Sequence, residues 1–545
     1  MLKRALVVVS LSLVFPLLNC GGGSSGSSVT NPPPPPPPSC VNTATVACTQ
    51  SGQVQGVIEG NLRAFRGIPY AAPPVGNLRW KAPAAPASWQ GVRDASQIGN
   101  VCPQLDGSGA LFGDEDCLLV NVYTSSPAPS TPQPVMVFLH GGGNVGGDTR
   151  QPKFDSPPLA TQGAVVVWVQ YRLGILGFLA NPLLTSEGGG TSGNYALLDM
   201  IAALKWVQQN ISNFGGDPNH VLLWGQSSGS WDIQMLLAAP SAQGLFSAAA
   251  MESGVIPSTA TAKSLPTFAA TEAASTPFVS AMGCDQASDV LACLRALSPG
   301  PIVNYQQQSP LPVLPGVGSP FLPEDSFTAI QQNGSPVPLL IGSTREEYTN
   351  SGDNPNTPLD QTGYSNAVHA EFDPIGAGVA DQVLTLYPAT NYDAPIYALV
   401  AVDTDYHVSC ETQNLALAAA GSGRPNVYRF LYTHQFEDDP SLKAGRAFHT
   451  AELYFLFGNM ALIDPSFTSA VVNYVPTVAE VSFSQQMMGY WIRFAATGNP
   501  NGNGAVNWPA YDATSENILQ LDDTPTITNG YDSVKCQYFS TLPQP

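Results

Sequence analysis

The clearest structural signal in this chain is the stretch Val221-Leu-Leu-Trp-Gly-Gln-Ser-Ser-Gly229. Its first four residues form an apolar run typical of a buried strand, and Trp231–Ala238 after it has a helical pattern. The five residues between them match the G-x-S-x-G pattern of a tight strand-to-helix turn that exposes its central serine. The pattern therefore predicts that Ser227 is a strained, exposed nucleophile. The alternative interpretation is a glycine-rich surface turn.

Other apolar runs of similar length occur on both sides of this stretch, and helical patterns lie among them. Continuous apolar runs suit strands that are buried on both faces of a mostly parallel sheet. Strands that alternate with helices predict an α/β fold with a mostly parallel central sheet flanked by helices. The strand runs are Val135–Leu139, Ala164–Gln170, Val337–Ile341 and Asn426–Tyr432, and the clearest helical patterns are Leu197–Ile211 and Phe483–Ala496.

A second glycine motif, His140-Gly-Gly-Gly143, follows the strand run that ends at Leu139. Glycines allow a backbone to approach a ligand closely and to direct N–H groups toward it. Such a loop can stabilise the anionic oxygen of a tetrahedral intermediate. Read alone, the motif is equally compatible with a flexible loop at the end of a strand.

A nucleophilic serine needs a base, and the base needs an acid that orients it. In a fold of this type the acid and then the histidine follow the serine along the chain. The spacing of the sequence leaves four candidate bases open: His369, His407, His434 and His449.

Composition and charge exclude several classes of function. The chain has 545 residues and a formal net charge of −20, and an acidic chain with only 20 Lys and Arg cannot readily neutralise phosphates. We therefore expect no nucleic-acid partner. No apolar run reaches the roughly 18–20 residues of a membrane-spanning helix. Neither CxxC nor HExxH occurs, so the sequence predicts no metal site, and we expect no cofactor.

The first residues have the parts of a secretory signal peptide, with a basic start followed by the apolar run Ala5–Leu18. Leu17-Leu-Asn-Cys20 resembles the lipobox of bacterial lipoproteins, in which the cysteine is acylated, although Asn19 departs from the usual small residue. We expect a signal peptide over residues 1–19 and lipidation at Cys20. The expected location is the bacterial cell envelope, at the outer membrane or cell surface, or otherwise the secreted fraction.

A linker is predicted between this lipid anchor and the folded body. Gly/Ser-rich sequence after Cys20 gives a flexible tether, and Pro32–Pro38 gives a semi-rigid spacer. The predicted organisation is therefore a linker over residues 20–39 and one α/β domain over residues 40–545. The alternative is a tail of no consequence. Setting Cys20 aside leaves eight cysteines, an even number that suits an oxidising compartment but allows 105 pairings.

Specific motifs in this sequence resemble the type B carboxylesterase/lipase family, which includes the cholinesterases and has the α/β-hydrolase fold. The resemblance extends from about Gly52 to Trp508. The motifs that carry it are Phe65-Arg-Gly-Ile-Pro-Tyr70, Pro73-Pro-Val-Gly-Asn-Leu-Arg-Trp80, Glu115-Asp-Cys-Leu-Leu-Val-Asn-Val-Tyr123, Asn213-Phe-Gly-Gly-Asp-Pro218, Gly342-Ser-Thr-Arg-Glu-Glu347, Phe448-His-Thr-Ala-Glu-Leu-Tyr-Phe-Leu-Phe-Gly458 and Gly498-Asn-Pro500.

The resemblance implies a catalytic triad in the order Ser227, Glu347 and His449, as nucleophile, acid and base. It implies an oxyanion hole made by the backbone N–H groups of Gly142, Gly143 and Ser228. It also implies the disulfides Cys102–Cys117, Cys284–Cys293 and Cys410–Cys536, which leaves Cys40–Cys48 as the fourth pair. Two structural ion pairs complete the implied set, Arg66 with Glu115 and Arg172 with Asp199.

Two departures from the family pattern bear on function. Gln226 stands where most members have Glu and Ser228 where they have Ala, so a negative charge beside the nucleophile is missing. The segment between Cys102 and Cys117 holds no Trp, whereas cholinesterases bind the choline cation on a Trp in that loop. Choline esters are therefore expected to be poor substrates.

The sequence thus predicts an exported serine carboxylic-ester hydrolase that forms an acyl-enzyme intermediate and acts on a small-molecule ester. Its contact with the membrane is expected to be through the N-terminal lipid only. One alternative is a non-catalytic, cholinesterase-like binding or adhesion protein, because a fold does not determine a function. Another is a lipase acting on long acyl chains.

Overall fold

The computed structural model describes residues 40–542, apart from 127, 152–153, 155–156, 258–264, 350–352, 422–425, 437, 466–470 and 503. The predicted signal peptide (1–19), the lipidation site Cys20 and the linker (20–39) lie outside the described residues. Residues Val41–Pro545 form one compact unit. Within the described ranges, no helix is both long enough and apolar enough to span a membrane.

The strands are, in chain order, β1 (Val46–Thr49), β2 (Gly52–Gln55), β3 (Val57–Glu59), β4 (Leu62–Pro69), β5 (Val92–Asp94), β6 (Gln104–Leu105), β7 (Leu111–Phe112), β8 (Leu119–Ser125), β9 (Gln133–Leu139), β10 (Val165–Val169), β11 (Gly216–Gln226), β12 (Ala248–Glu252), β13 (Leu339–Thr344), β14 (Val427–Tyr432), β15 (Leu462–Ile463), β16 (Val472–Asn473), β17 (Asn517–Leu521) and β18 (Thr526–Asn529).

The α-helices are α1 (Gly174–Phe178), α2 (Pro182–Glu187), α3 (Tyr195–Asn210), α4 (Ser228–Ala238), α5 (Phe268–Ala274), α6 (Thr276–Ala281), α7 (Val290–Ala296), α8 (Pro299–Gln308), α9 (Ser326–Asn333), α10 (Gln361–Phe372), α11 (Val379–Leu386), α12 (Pro395–Thr404), α13 (Cys410–Gly421), α14 (Pro440–Lys443), α15 (Ala451–Phe457), α16 (Val478–Thr497) and α17 (Ser533–Phe539). A π-helical turn, Asp405–Ser409, joins α12 to α13.

The main sheet has the order β18-β17-β14-β13-β12-β11-β9-β10-β8-β4-β3. Its strands from β17 to β10 run parallel, and the pairings at its two sides, β17 with β18 and β10–β8–β4–β3, are antiparallel. All five apolar runs lie in strands of the parallel part, and the two helical patterns lie in α3 and α16. The prediction of an α/β fold with a mostly parallel sheet is confirmed.

The sheet is covered on both faces, which explains why its strands are apolar at every position. Successive side chains of a strand point to opposite faces. Val135 and Val137 of β9 accordingly pack in one core cluster, and Met136 and Phe138 pack in another. Every residue of β10 is buried. The helices on both faces therefore leave the carboxyl ends of the strands as the open edge, where ligands bind in sheets of this kind.

Disulfides join Cys102 to Cys117, Cys284 to Cys293 and Cys410 to Cys536. These are pairs that the family resemblance implies. All eight cysteines from Cys40 onward are disulfide-bonded. The pairing of Cys40 with Cys48 stays a prediction.

One of the two implied ion pairs is wrong. Arg172 does bind Asp199, with its Nε 2.7 Å from the carboxylate. Glu115, however, accepts from Nε of Arg79 at 2.7 Å, and Arg66 is paired with Glu59 instead. Arg79 is the better partner because its guanidinium also reaches backbone carbonyls at the end of α7, so one buried cation serves both groups.

Candidate active site

Ser227 lies at the turn between β11 and α4, in a conformation that non-glycine residues rarely adopt. Its φ is 56° and its ψ is −126°. A Cβ on Gly225 would lie 2.8 Å from the Gly229 backbone, and one on Gly229 would lie 2.3 Å from the Leu139 carbonyl oxygen. Only glycine fits these two positions, so strand and helix can approach closely enough to hold Ser227 in its strained turn.

Glu347 and His449 are brought together by a bridge between two distant segments. Glu346 and Phe448 pair as neighbouring parallel strands do, and the N–H of Ala447 donates to the Glu346 carboxylate at 3.2 Å. The next residue of each segment then faces the other, and Nδ1 of His449 bonds Oε2 of Glu347. Glu346 thus holds this bridge.

The Glu347 carboxylate is well fixed. Its residue is only 1% exposed, and its second oxygen accepts from the N–H of Thr344 at 2.8 Å. A buried carboxylate with both oxygens engaged can orient an imidazole and stabilise its charged form. The arrangement fixes the tautomer of His449 as well, because Nδ1 carries the proton toward Glu347 and Nε2 is left as the acceptor.

Gln226, the residue before the serine, contacts the same imidazole. Its amide nitrogen is 3.2 Å from Nε2 of His449, and the residue is 2% exposed. The neutral amide therefore faces the ring nitrogen that a serine proton would have to reach.

The glycine loop lies directly against the serine turn. A Cβ on Gly141 would be 2.8 Å from Cβ of Ser227. Gly142 has a φ of 122° and Gly143 a φ of 63°, and a Cβ on Gly142 would be 2.2 Å from the Gly146 carbonyl oxygen. The loop conformation thus depends on glycine at position 142, which is the pattern expected where backbone N–H groups line a site.

Asn144 is a residue of this site that the sequence analysis missed. Its N–H donates to Oγ of Ser228 at 3.1 Å, and its side-chain amide donates to Asp232 of α4 at 3.0 Å. Asn144 itself has a positive φ of 58°. These bonds tie the glycine loop to the first turns of α4. The Ser228 side chain, noted from sequence only as a departure from Ala, is thereby given a structural role.

Glu252, also missed, supports the turn from the other side. Its carbonyl accepts from the N–H of Ser227 at 2.8 Å, and its carboxylate accepts from the indole of Trp491 at 2.9 Å. Burial raises the pKa of Glu252 to about 8. A glutamate at the end of a strand gives no distinctive signal in a sequence, so only the fold reveals it.

The other histidines lie in different surroundings. His140 is buried and stacked on Tyr171, with 4.4 Å between the ring centroids, and burial lowers its pKa. His369 pairs with Asp373, His407 with Glu371 and His434 with Glu480 and Asp522. Of the four candidate bases, His449 lines a cavity together with Ser227.

A cavity of about 470 Å³ opens over these residues. Its walls include Ser227, Gln226, His449, Gly141, Gly142 and Phe154. A second cavity of about 380 Å³ lies behind the serine turn, on the side of Gly254, whose Cβ would be 2.2 Å from the Ser227 carbonyl oxygen. The site therefore has room for a small molecule beside a strained serine, an oriented imidazole and a glycine loop.

Comparison with known proteins identifies the family to which the chain belongs. The model of the carboxylesterase family matches residues 42–539. The chain belongs to the carboxylesterase family. It is 35% identical to the para-nitrobenzyl esterase of Bacillus subtilis (strain 168), over 91% of this chain and 98% of that one. It is also 33% identical to the fumonisin B1 esterase of Sphingopyxis macrogoltabida, over 86% of this chain and 85% of that one.

Solved structures agree with this assignment. A structure of PNB esterase superposes with a TM-score of 0.74 at 34% identity, covering 91% of this chain and all of that chain. The expected α/β-hydrolase fold is therefore confirmed. This carboxylesterase is a carboxylic-ester hydrolase of the serine type, and its substrate is a small-molecule ester.

Proposed function

We propose that this carboxylesterase hydrolyses its ester through a Ser227–His449–Glu347 triad and an acyl-enzyme. The observation that carries the proposal is the His449 ring, which bonds the buried Glu347 carboxylate at one nitrogen while lining the cavity that also contains Ser227. This gives a nucleophile, a base and an orienting acid in one place.

Acylation begins when Nε2 of His449 takes the proton of the Ser227 hydroxyl as Oγ bonds the ester carbonyl carbon. The carbonyl oxygen becomes an oxyanion, which accepts hydrogen bonds from the N–H groups of Gly142, Gly143 and Ser228. Collapse of this intermediate breaks the bond to the alcohol oxygen, and His449 returns the proton to that oxygen. Glu347 stabilises the imidazolium meanwhile without taking its proton.

Deacylation repeats these steps with water in place of the serine. His449 takes a proton from the water as its oxygen bonds the acyl carbon. The second oxyanion accepts hydrogen bonds from the same N–H groups. Collapse then breaks the bond to Oγ, His449 returns the proton to Ser227, and the carboxylic acid leaves.

Choline esters are poor candidates as substrates of this site. Among the described residues that line the cavity over Ser227, Phe154 is present but no Trp or Tyr, and the Cys102–Cys117 segment has no Trp. A quaternary ammonium group is best bound over the face of Trp or Tyr.

Export and lipid anchoring also belong to the proposal. Eight disulfide-bonded cysteines fit a protein that folds in an oxidising compartment. The lipobox-like sequence before Cys20 supports acylation there. Cys20→Ser should release the protein from the membrane fraction and abolish labelling with a fatty-acid probe, and continued labelling would contradict the anchor.

The proposed chemistry is tested with p-nitrophenyl esters from acetate to palmitate, using the chain from Cys40 onward. Ser227→Ala should abolish turnover while its circular dichroism spectrum stays native. Ser540→Ala, an exposed serine far along the chain, serves as the matched control. A fluorophosphonate should label the native protein and the control but not Ser227→Ala. Turnover by a folded Ser227→Ala variant would show that another residue is the nucleophile.

The same ester series distinguishes the alternatives. Turnover of short chains identifies an esterase and begins to define the acyl pocket. Turnover of long chains alone identifies a lipase. If the folded native protein and Ser227→Ala are equally inert on every ester, the proposed mechanism is wrong for this chain.

A further inference from the structure

A second group of chemically reactive side chains lies outside the proposed triad. It consists of Glu371 on α10, Asp403 near the end of α12 and His407 in the π-helical turn. One ligand-capable atom from each lies within 4.8 Å of the others. Nε2 of His407 is 2.8 Å from Oε1 of Glu371. A carboxylate pair with an imidazole is a donor set that divalent transition metals favour.

The local backbone explains why these groups meet. Asp403 and His407 are four residues apart on a continuous helical segment, so they share one face. The π-helical turn Asp405–Ser409 begins two residues after Asp403 and contains His407, and such turns recur at functional sites. The third group, Glu371, comes from the last turn of the separate helix α10.

The Asp403 carboxylate points to a missing ligand. The residue is only 9% exposed, and its Oδ1 has no hydrogen-bond partner among the described residues. Asp353, whose side chain interacts with that of Asp403, has a buried oxygen, Oδ2, that also lacks a hydrogen-bond partner among the described residues. An ionised carboxylate is costly to bury without a partner. A carboxylate buried this close to a second acidic group, Glu371, needs either a shared proton or a cation.

We propose that Glu371, Asp403 and His407 bind a divalent transition-metal ion such as Zn²⁺. Asp353 lies beside the position that a fourth ligand of the metal would occupy. Zinc binds nitrogen and carboxylate oxygen at about 2.0–2.2 Å. Tetrahedral ligands at that radius are about 3.4 Å apart. The donor atoms, all within 4.8 Å of one another, reach this spacing by small side-chain rotations. An imidazole ligand disfavours Ca²⁺ and Mg²⁺, which take oxygen ligands.

The position of this site gives the metal a structural consequence. His407 lines the second cavity, and its ring stacks on Tyr348 with 5.1 Å between centroids. Tyr348 directly follows Glu347 in the chain. A metal ion held by Glu371, Asp403 and His407 would fix the His407 ring against Tyr348. It would therefore restrain the segment that carries Glu347. The binding proposal itself is independent of the proposed triad.

The test uses the full chain without a polyhistidine tag, stripped with a chelator and dialysed against ZnCl₂. We expect one zinc per chain by elemental analysis and a higher melting temperature with zinc than without. Co²⁺ in place of zinc should give visible ligand-field absorption. Asp403→Asn and His407→Gln should each weaken zinc binding by at least about tenfold and abolish the zinc-dependent rise in melting temperature.

A second cluster provides the matched control. His434, Asp522 and Asp523 also bring donor atoms together, and Asp523→Asn should leave zinc binding unchanged. Loss of binding in Asp523→Asn but not in Asp403→Asn would overturn the assignment. So would a stripped native protein that binds no zinc, which would identify the Asp353–Asp403 pair as carboxyls sharing a proton. Circular dichroism of each apo variant separates lost ligands from lost fold.

Discussion

The amide nitrogen of Gln226 lies 3.2 Å from Nε2 of His449. In the proposed mechanism Nε2 of His449 must receive the Ser227 proton. The Gln226 amide N–H and the serine hydroxyl therefore compete for the lone pair of Nε2. Gln226 also adds no negative charge beside the imidazolium that forms in each transition state. The residue is therefore expected to restrain the rate of this carboxylesterase in two ways.

Gln226→Glu should move the acidic limb of the pH profile of kcat/KM upward by about one pH unit or more. A carboxylate beside an imidazole favours its protonated form, and the base must be neutral to act. Above this limb, kcat/KM should rise by up to about tenfold, because one pH unit corresponds to about 1.4 kcal/mol. Hydrolysis of p-nitrophenyl acetate from pH 5 to 10 measures both effects.

Gln226→Met is the control, since it removes the amide donor without adding charge. It should raise the acidic limb by less than Gln226→Glu does, because it removes the hydrogen bond to the neutral imidazole without adding a charge. If Gln226→Glu and Gln226→Met have the same profile, charge beside the base has no influence, and the argument about this position fails.

The fold was predictable from sequence to the extent that its strands are buried on both faces. The run in β10 is apolar at every position because helices cover both sides, and such a run can be read directly. The serine turn was predictable because Gly225 and Gly229 are required by backbone contacts two residues from Ser227. Each of these constraints falls on fixed positions within one short segment, so each leaves a pattern in the sequence.

Contacts between distant segments left no such pattern. The residues alone kept four histidines open as the base, because the bridge between Glu346 and Phe448 that selects His449 spans about a hundred residues. The pairing of Arg66 with Glu115 was wrong for the same reason, since it depended on where α7 packs. The expectation of no metal site rested on short motifs, whereas one proposed zinc ligand, Glu371, comes from a different helix than Asp403 and His407.

Gly142→Ala should lower kcat by about 10²–10³-fold, the cost of losing one oxyanion donor. An added Cβ would lie 2.2 Å from the Gly146 carbonyl oxygen, so the loop must move. Gly143→Ala is the matched comparison, because its Cβ would meet nothing closer than 3.9 Å and the cost is about 1–2 kcal/mol of left-handed strain. Steady-state kinetics and thermal unfolding of both variants check this, and equal loss of kcat would contradict it.

Glu347→Gln should lower kcat by about 10³–10⁴-fold with little change in KM, because the wrong tautomer of His449 then predominates. Glu346→Gln keeps an oxygen that can accept from Ala447, so its kcat should stay close to the native value. The two adjacent substitutions separate orientation of the base from support of the bridge. A similar loss of kcat in both variants would show that the acid acts only through the local fold.

The last prediction concerns stability and a histidine away from the site. Burial opposes the charged form of His434, but hydrogen bonds with Asp522 and Glu480 outweigh it and raise the pKa of His434 from 6.5 to about 9. Nε2 of His434 is 3.1 Å from Glu480. Because the folded state binds this proton more tightly, its contribution is complete below pH 6.5 and is lost as pH rises through about 9.

The rise in the pKa of His434 corresponds to at most about 3 kcal/mol of folding free energy. This contribution is smaller at high salt, because Asp522 is half exposed. The free energy of urea unfolding should therefore fall between pH 6.5 and 9.5 in the native protein. In His434→Gln, which keeps a hydrogen-bond donor but cannot take the proton, stability should be lower at pH 6.5 and nearly flat over that range. Parallel curves for the two proteins would mean that His434 is not the group whose deprotonation weakens the fold.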